Sequence, residues 1–245
     1  MRFGGAGRTH WGKVLAEHAP DIFLAQETCT PYEHLPESQY GHLADDVVWS
    51  AVADLAWGSA VYIKGQRPRQ LELPDFHGYV VGAEVDLPNE ERPLRLFSVH
   101  APKRGSYQKA VHAILDMIQD FRDRCDLVIG GDFNLTVGHR HPSETRSTTR
   151  KDLAIQTRLR DELRLINCWQ TANPDQPLAQ TLRWARNKVT PYHCDGIFVP
   201  ESWESRLKSS TVLAGDDWET MSDHNPVVAE FEPGGLGVAG DEREG

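Results

Sequence analysis

The chain has 245 residues, of which 39% are apolar and 25% charged, and its formal net charge is −10. That length can bury a sizeable core, no apolar run is long enough to span a bilayer, and the acidic balance argues against gripping nucleic acid over a broad basic face. Cys29, Cys125, Cys168 and Cys194 form no CxxC pair and no basic-then-apolar leader opens the chain, so reduced thiols, no zinc and a cytoplasmic location are expected.

In chain order, Thr9 can cap a helix through Trp11, Val14, Leu15 and His18, ended by Pro20. Residues 21–26 read as a short buried strand with Glu27 at its end. Residues 32–43 read as a polar loop or short helix. Val47 to Trp49 and Ala60 to Ile63 read as strands, punctuated by Gly58 and Gly65. Tyr79 to Asp86 and Leu94 to Val99 read as a hairpin pair, closed by His100. Ser106 caps the clearest helix, with Val111, Ile114, Leu115, Ile118 and Phe121 on one face.

Asp126 to Asn134 follows directly. Its apolar run stops at Gly130 and Gly131, where the backbone can be approached closely. Asp132 and Asn134 then offer a carboxylate for a proton or hard cation and an amide for a phosphate oxygen. Residues 138–151 form a polar, partly basic loop. A second amphipathic helix carries Leu153, Ile155, Leu159, Leu163 and Leu165. Residues 182–184, 193–199, 208–213 and 226–231 read as strands; Trp184 and Tyr192 could stack on a base or pack in the core, and core packing is the expectation for Trp184. One α+β domain over residues 1–232 is expected, with two sheets face to face and helices outside. The Gly-rich acidic tail, 233–245, has little to bury and reads as disordered.

Several strand ends carry residues of one chemical kind: Glu27, His100, Asp132 with Asn134, and Asp223 with His224, joined by Asp195 inside a further strand. Carboxylates crowd together only with a proton or cation between them. Asp and Glu with His, and no thiolate, suit Mg²⁺ or Mn²⁺, and that inventory fits metal-assisted hydrolysis of a phosphoester. The bland alternatives are solvated strand-end acids and a loop histidine at His100. Asp195 is harder to dismiss, since a buried carboxylate needs a partner and His224 is a fitting one.

Gln26-Glu27, Gly131-Asp132-Phe133-Asn134, Cys194 to Val199 and Ser222 to Pro226, in that order, resemble the endonuclease/exonuclease/phosphatase superfamily. Ser98 to Pro102 looks like the matching segment of its deoxyribonuclease-I-like branch. The resemblance runs from about residue 21 to 231 and implies a four-layered α/β sandwich with the site at one end of the sheets. It implies Glu27 as main metal ligand, with Asp223 in support. It further implies Asp132 orienting or deprotonating water, Asn134 holding phosphate, Asp195 orienting His224, and His100 assisting the leaving oxygen or binding phosphate. Gly196 departs from the family, where an aromatic often follows the Asp. The family also begins with a strand ending in Asn, and this sequence starts after that point, so a missing strand and unpaired sheet edges are expected.

Basic residues fall in three loops beside these motifs: Lys103, Arg104 and Lys109; Arg140, Arg146, Arg150 and Lys151; Arg183, Arg186 and Lys188. They would form a positive rim for an anionic substrate, with Arg104 and Arg183 as the substrate-binding candidates. The expected function is Mg²⁺-dependent phosphodiester hydrolysis by a monomer, on nucleic acid or nucleotides and away from membranes. The rivals are a phosphomonoesterase, a lipid-headgroup phosphodiesterase, or a non-catalytic phosphate-binding remnant.

Overall fold

A computed structural model describes residues 7–31, 35, 41, 43–87, 92–184 and 192–232, without the side chains of residues 7–9 and 216. Strands β1 (Ile22–Thr28), β2 (Val47–Ala51) and β3 (Gly58–Ile63) form an antiparallel sheet in the order β1-β3-β2. Six further strands form the main sheet: β4 (Arg69–Gln70), β5 (Val80–Val85), β6 (Leu94–His100), β7 (Asp126–Asp132), β8 (Leu165–Asn167) and β9 (Asp195–Pro200). Their order is β4-β5-β6-β7-β9-β8. Only β6 and β7 run parallel, joined by the crossover helix α3 (Tyr107–Gln119). A third, two-stranded sheet pairs β10 (Leu207–Val212) with β11 (Val227–Phe231).

Three separate interior clusters define four layers. Trp11 of α1 (Gly7–Glu17) packs with Leu43 of the short helix α2 (Leu43–Asp46) and with Ala25, Ala60 and Tyr62 of the small sheet. Val61, Ile63, Leu96, Val128 and Val199 fill the space between the small sheet and the six-stranded one, where Leu207, Ala229 and Phe231 also pack. Val111, Ile114, Leu115 and Ile118 of α3, with Ile155 of α4 (Arg150–Thr157), cover the far face over Phe97 and Ile129. The order is therefore helix, sheet, sheet, helix.

The layer facing the six-stranded sheet comes in two pieces among the described residues. Strand β1 lies over β6 and β7, β11 lies against β9, and the two do not pair. Strand β3, paired on both sides, is buried at every position, whereas most of β1 and β11 is half-exposed.

The α3 helix follows its expected pattern, and Ser106 Oγ accepts from Lys109 N at 3.2 Å. The β5–β6 hairpin and β7 also stand as read. Helix α1 begins at Gly7, ahead of the Thr9 expected to cap it. The second amphipathic helix ends sooner than its periodicity implies. After Thr157 it widens into one π turn (Arg158–Glu162), Arg164 turns at φ 59°, and Leu165 opens β8. Residues 182–184 form no strand; Leu182 alone makes two isolated bridges, to Tyr192 and to His224. Trp184 is 63% exposed, which overturns its expected place in the core. The short helices α5 (Cys168–Ala172) and α6 (Asp216–Met221) complete the α-helices among the described residues. The expected tail disorder over 233–245 lies outside the described residues. No described helix is long and apolar enough to cross a membrane.

Candidate active site

Sheet register builds one side of the site. His100 ends β6 and sits opposite Asp132, which ends β7, and Asp132 in turn sits opposite Asp195, which opens β9. The three residues therefore form one row across neighbouring strands, at the same end of the sheet. All four cysteines are buried, and Cys194 precedes Asp195 in this row.

Glu27 reaches the row from the opposite sheet. Gln26 Nε2 donates to Ser98 Oγ at 2.9 Å, and Ser98 Oγ donates to Ala25 O at 2.9 Å, which ties β1 to β6 across the core. Gly131 makes room for this tie: a Cβ there would lie 2.1 Å from Val99 O and 2.9 Å from Gln26 Nε2, and its φ is +138°. A β-bulge between Ala25 and Thr28, with Glu27 at φ 51°, completes the turn. Glu27 Oε1 then lies 3.7 Å from His100 Nε2, which is 3.8 Å from Asp132 Oδ2.

On the other flank His224 Nδ1 lies 3.0 Å from both carboxylate oxygens of Asp195, and its Nε2 lies 3.9 Å from Asp132 Oδ2. Asn134 stands at φ 54°, held by its backbone N–H donating to Asp132 Oδ1 at 2.8 Å and its Nδ2 donating to Ala101 O at 3.1 Å. The fold thus brings Glu27, His100, Asp132, Asn134, Asp195 and His224 together. Asp223 is exposed and outside the close group of Asp132, Cys194, Asp195 and His224, whose ligand atoms all lie within 4.8 Å of one another.

Burial and neighbouring charge separate the protonation states. Burial and the neighbouring Asp195 push the Asp132 carboxyl up to about 7. Burial works against charge on His224, but Asp195 outweighs it and raises the imidazole to about 9. Burial also opposes ionisation of Asp195, yet the His224 imidazolium holds it below the usual carboxylate range. Burial lowers His100 to about 4, and its Nδ1 has no hydrogen-bond partner among the described residues. At neutral pH His224 is an imidazolium, His100 is neutral, and Asp132 is divided between carboxylic acid and carboxylate. The Cys194 thiol is pushed well above its ordinary value by burial and stays protonated.

The expected substrate arginines sit differently. Arg183 is only 4% exposed, and its guanidinium donates to Asn225 Oδ1 and to Ser222 O. Its charge faces inward and braces the turn that carries His224, which corrects its reading as a substrate contact. Arg104 is exposed, but its Nη1 donates to both carboxylate oxygens of Asp75, at 3.0 and 2.9 Å, and its guanidinium lies 4.3 Å above the Phe76 ring. Arg140 is buried in a 2.7 Å pair with Glu144. Lys103, Lys109, Arg146, Arg150 and Lys151 are exposed, while Arg186 and Lys188 lie outside the described residues.

Sequence reasoning missed two groups. Gln26 acts as the cross-sheet tie, and its side chain being matched to Gly131 leaves no local sequence signal. Trp57 and Tyr79 wall His100, with ring centroids 5.5 and 5.9 Å from the imidazole. Neither has a motif, because the contact joins three elements distant in the chain.

No protein-family model and no curated protein matches the chain. Solved structures do match. A 3'-5' exonuclease (NExo) from Neisseria meningitidis is 19% identical with a TM-score of 0.66, over 93% of this chain and 95% of that one. The 3' phosphatase NExo from Neisseria, bound to product DNA hairpin, is 20% identical with a TM-score of 0.65, over 91% of this chain and 93% of that one. An AP endonuclease from Archaeoglobus fulgidus is 18% identical with a TM-score of 0.64, over 94% of this chain and 96% of that one. The chain shares with these structures a four-layered α/β sandwich fold.

Proposed function

From the deoxyribonuclease-I-like fold, we propose that this protein is a divalent-metal-dependent phosphodiester hydrolase acting on nucleic acid or nucleotides. One observation carries the reading: Glu27, Asp132 and the His224–Asp195 pair converge at the same end of two facing sheets. The donor set fits a hard cation, because carboxylates outnumber the one charged imidazole and Asp132 resists ionising without further positive charge. Glu27 and Asp132 would hold Mg²⁺ or Mn²⁺, with the nearby thiol protonated and unavailable. When bound, the ion supplies polarisation of the phosphoryl oxygen and charge neutralisation.

The chain's own groups do the rest. The His224 imidazolium, oriented through Nδ1 by Asp195, presents Nε2–H to an added negative charge on phosphate. Asn134 presents its amide from a backbone fixed by Asp132 and Ala101. Asp132, as carboxylate, accepts a hydrogen bond or proton from the attacking water. Neutral His100 stands ready to hydrogen-bond the leaving oxygen. A phosphomonoesterase acting on nucleic-acid ends is the second reading, favoured by the neisserial neighbour described as a 3' phosphatase.

The test is hydrolysis of plasmid DNA, a 3'-phosphorylated oligonucleotide and a chromogenic diester, with Mg²⁺, with Mn²⁺ and with chelator. The expected result is chelator-sensitive diester cleavage, lost in His224→Ala. Monoester release alone would select the second reading, and silence on all three would favour a phosphate-binding remnant. We place the chain in the cytoplasm as a monomer of one domain through residue 232.

A further inference from the structure

We infer that Trp184 is a nucleobase-stacking residue beside the reacting centre, and that the protein takes its substrate with an unpaired base next to the scissile phosphate. This rests on the phosphodiester reading above and names the substrate form.

Trp184 is 63% exposed, whereas Trp11, Trp169 and Trp218 are buried. Among the described residues its indole has no ring contact and no hydrogen bond. A lone exposed aromatic is ordinary by itself. What sets this one apart is the rigidity of its attachment to the site. Leu182 bridges His224 on one side and Tyr192 on the other. Arg183 N donates to Asp223 O at 2.8 Å, and the buried Arg183 guanidinium closes on Ser222 O and Asn225 Oδ1. A guanidinium removed from water is costly unless it is fully bonded, so residues 182–183 and the 222–225 turn form one braced unit. Trp184 is the next residue. Bridge spacing and two further residues of chain place its Cα within roughly 13 Å of the His224 Cα.

The other aromatics at the site have no such free face. Trp57, Tyr79 and His100 lie against one another at 5.5 to 6.0 Å between centroids. Three of the basic side chains near the site are similarly committed. Arg104 is paired with Asp75, Arg140 with Glu144, and Arg183 is buried. With a net charge of −10, the chain is poorly suited to holding a long duplex by its phosphates. Stacking on an exposed indole carried by a braced backbone supplies affinity that needs no phosphate charge, and it requires a base with an open face.

The test is fluorescence anisotropy in chelator, where no turnover occurs. The probes are a labelled single-stranded thymidylate octamer and an octamer of abasic sites with the same phosphates. The wild-type chain is expected to bind the thymidylate about 5- to 100-fold more tightly than the abasic octamer. Trp184→Ala should erase that ratio and leave abasic binding unchanged, while Trp184→Phe should keep most of it. Substitution at an exposed position leaves the fold intact, and matched urea midpoints confirm it. Equal binding of the two octamers by the wild type, or a preference that survives Trp184→Ala, overturns the inference. Hydrolysis with Mg²⁺ is read separately, so a chain that prefers bases yet cleaves nothing refutes the hydrolase reading alone.

Discussion

Replacing Asp132 by Asn should make the protein more stable while abolishing hydrolysis. Asp132 is 6% exposed and its carboxyl is pushed up from 3.8 to about 7 by burial and by Asp195. The unfolded chain therefore releases this proton near pH 4, while the folded chain holds it until about pH 7. Between those values the folded state binds the extra proton, so stability falls as pH rises, and above pH 7 the loss is complete. At 1.36 kcal/mol per pH unit, the rise converts to a ceiling of about 4 kcal/mol. Asparagine cannot ionise, and its Oδ1 still accepts from Asn134 N as Asp132 Oδ1 does. Urea unfolding in chelator at pH 4, 6 and 8.5 measures the difference. Asp132→Asn should match the wild type near pH 4 and exceed it by about 2–4 kcal/mol at pH 8.5. A variant no more stable at pH 8.5, or a gap that does not widen with pH, would show that Asp132 is not held above its ordinary range.

Asp195→Asn removes the carboxylate that raises His224 to about 9. The alkaline limb of the pH–rate profile should fall from near pH 9 to pH 7 or below, with kcat at pH 8 reduced more than KM. His224 also links to stability: its raised value stabilises the fold fully below about pH 6.5, and the gain is lost as pH climbs through about 9. A wild-type urea midpoint that declines over that interval, and flattens in Asp195→Asn, would report it. Arg183→Met leaves Ser222 O and Asn225 Oδ1 without their donor. It should cost about 2–3 kcal/mol in urea unfolding and lower kcat through the His224 turn. A substrate-binding arginine would instead raise KM with stability unchanged, so the two readings separate in one pair of assays.

The parts of this fold that carry a local pattern were legible from the sequence. Helix α3 announces itself through Ser106 and the spacing of Val111, Ile114, Leu115 and Ile118, because cap and apolar face both lie within one short window. Strand β7 is equally plain, since its apolar run ends at glycines. The order of short motifs around Glu27, Asp132, Asp195 and His224 pointed to residues that meet in space. The failures have one physical source, which is tertiary context. Arg183 reads as a surface cation until the Ser222–Asn225 turn closes over it. Trp184 reads as core by its chemistry, yet its neighbour takes the buried position. Leu165 continues a helical period until the π turn and the positive φ of Arg164 redirect the chain.

His100, Asp132 and Asp195 stand on adjacent strands at matched positions. A slip of β7 by a single residue would swing the Asp132 side chain to the opposite face of the sheet. Half-correct pairing therefore assembles no partial site. The β6–β7 ladder joins segments separated by a whole helix, and such long-range pairing forms late in folding. Recovery of the proposed hydrolysis during refolding then requires that ladder in register, which makes turnover a stricter report on the final ordering of the chain than helix content is.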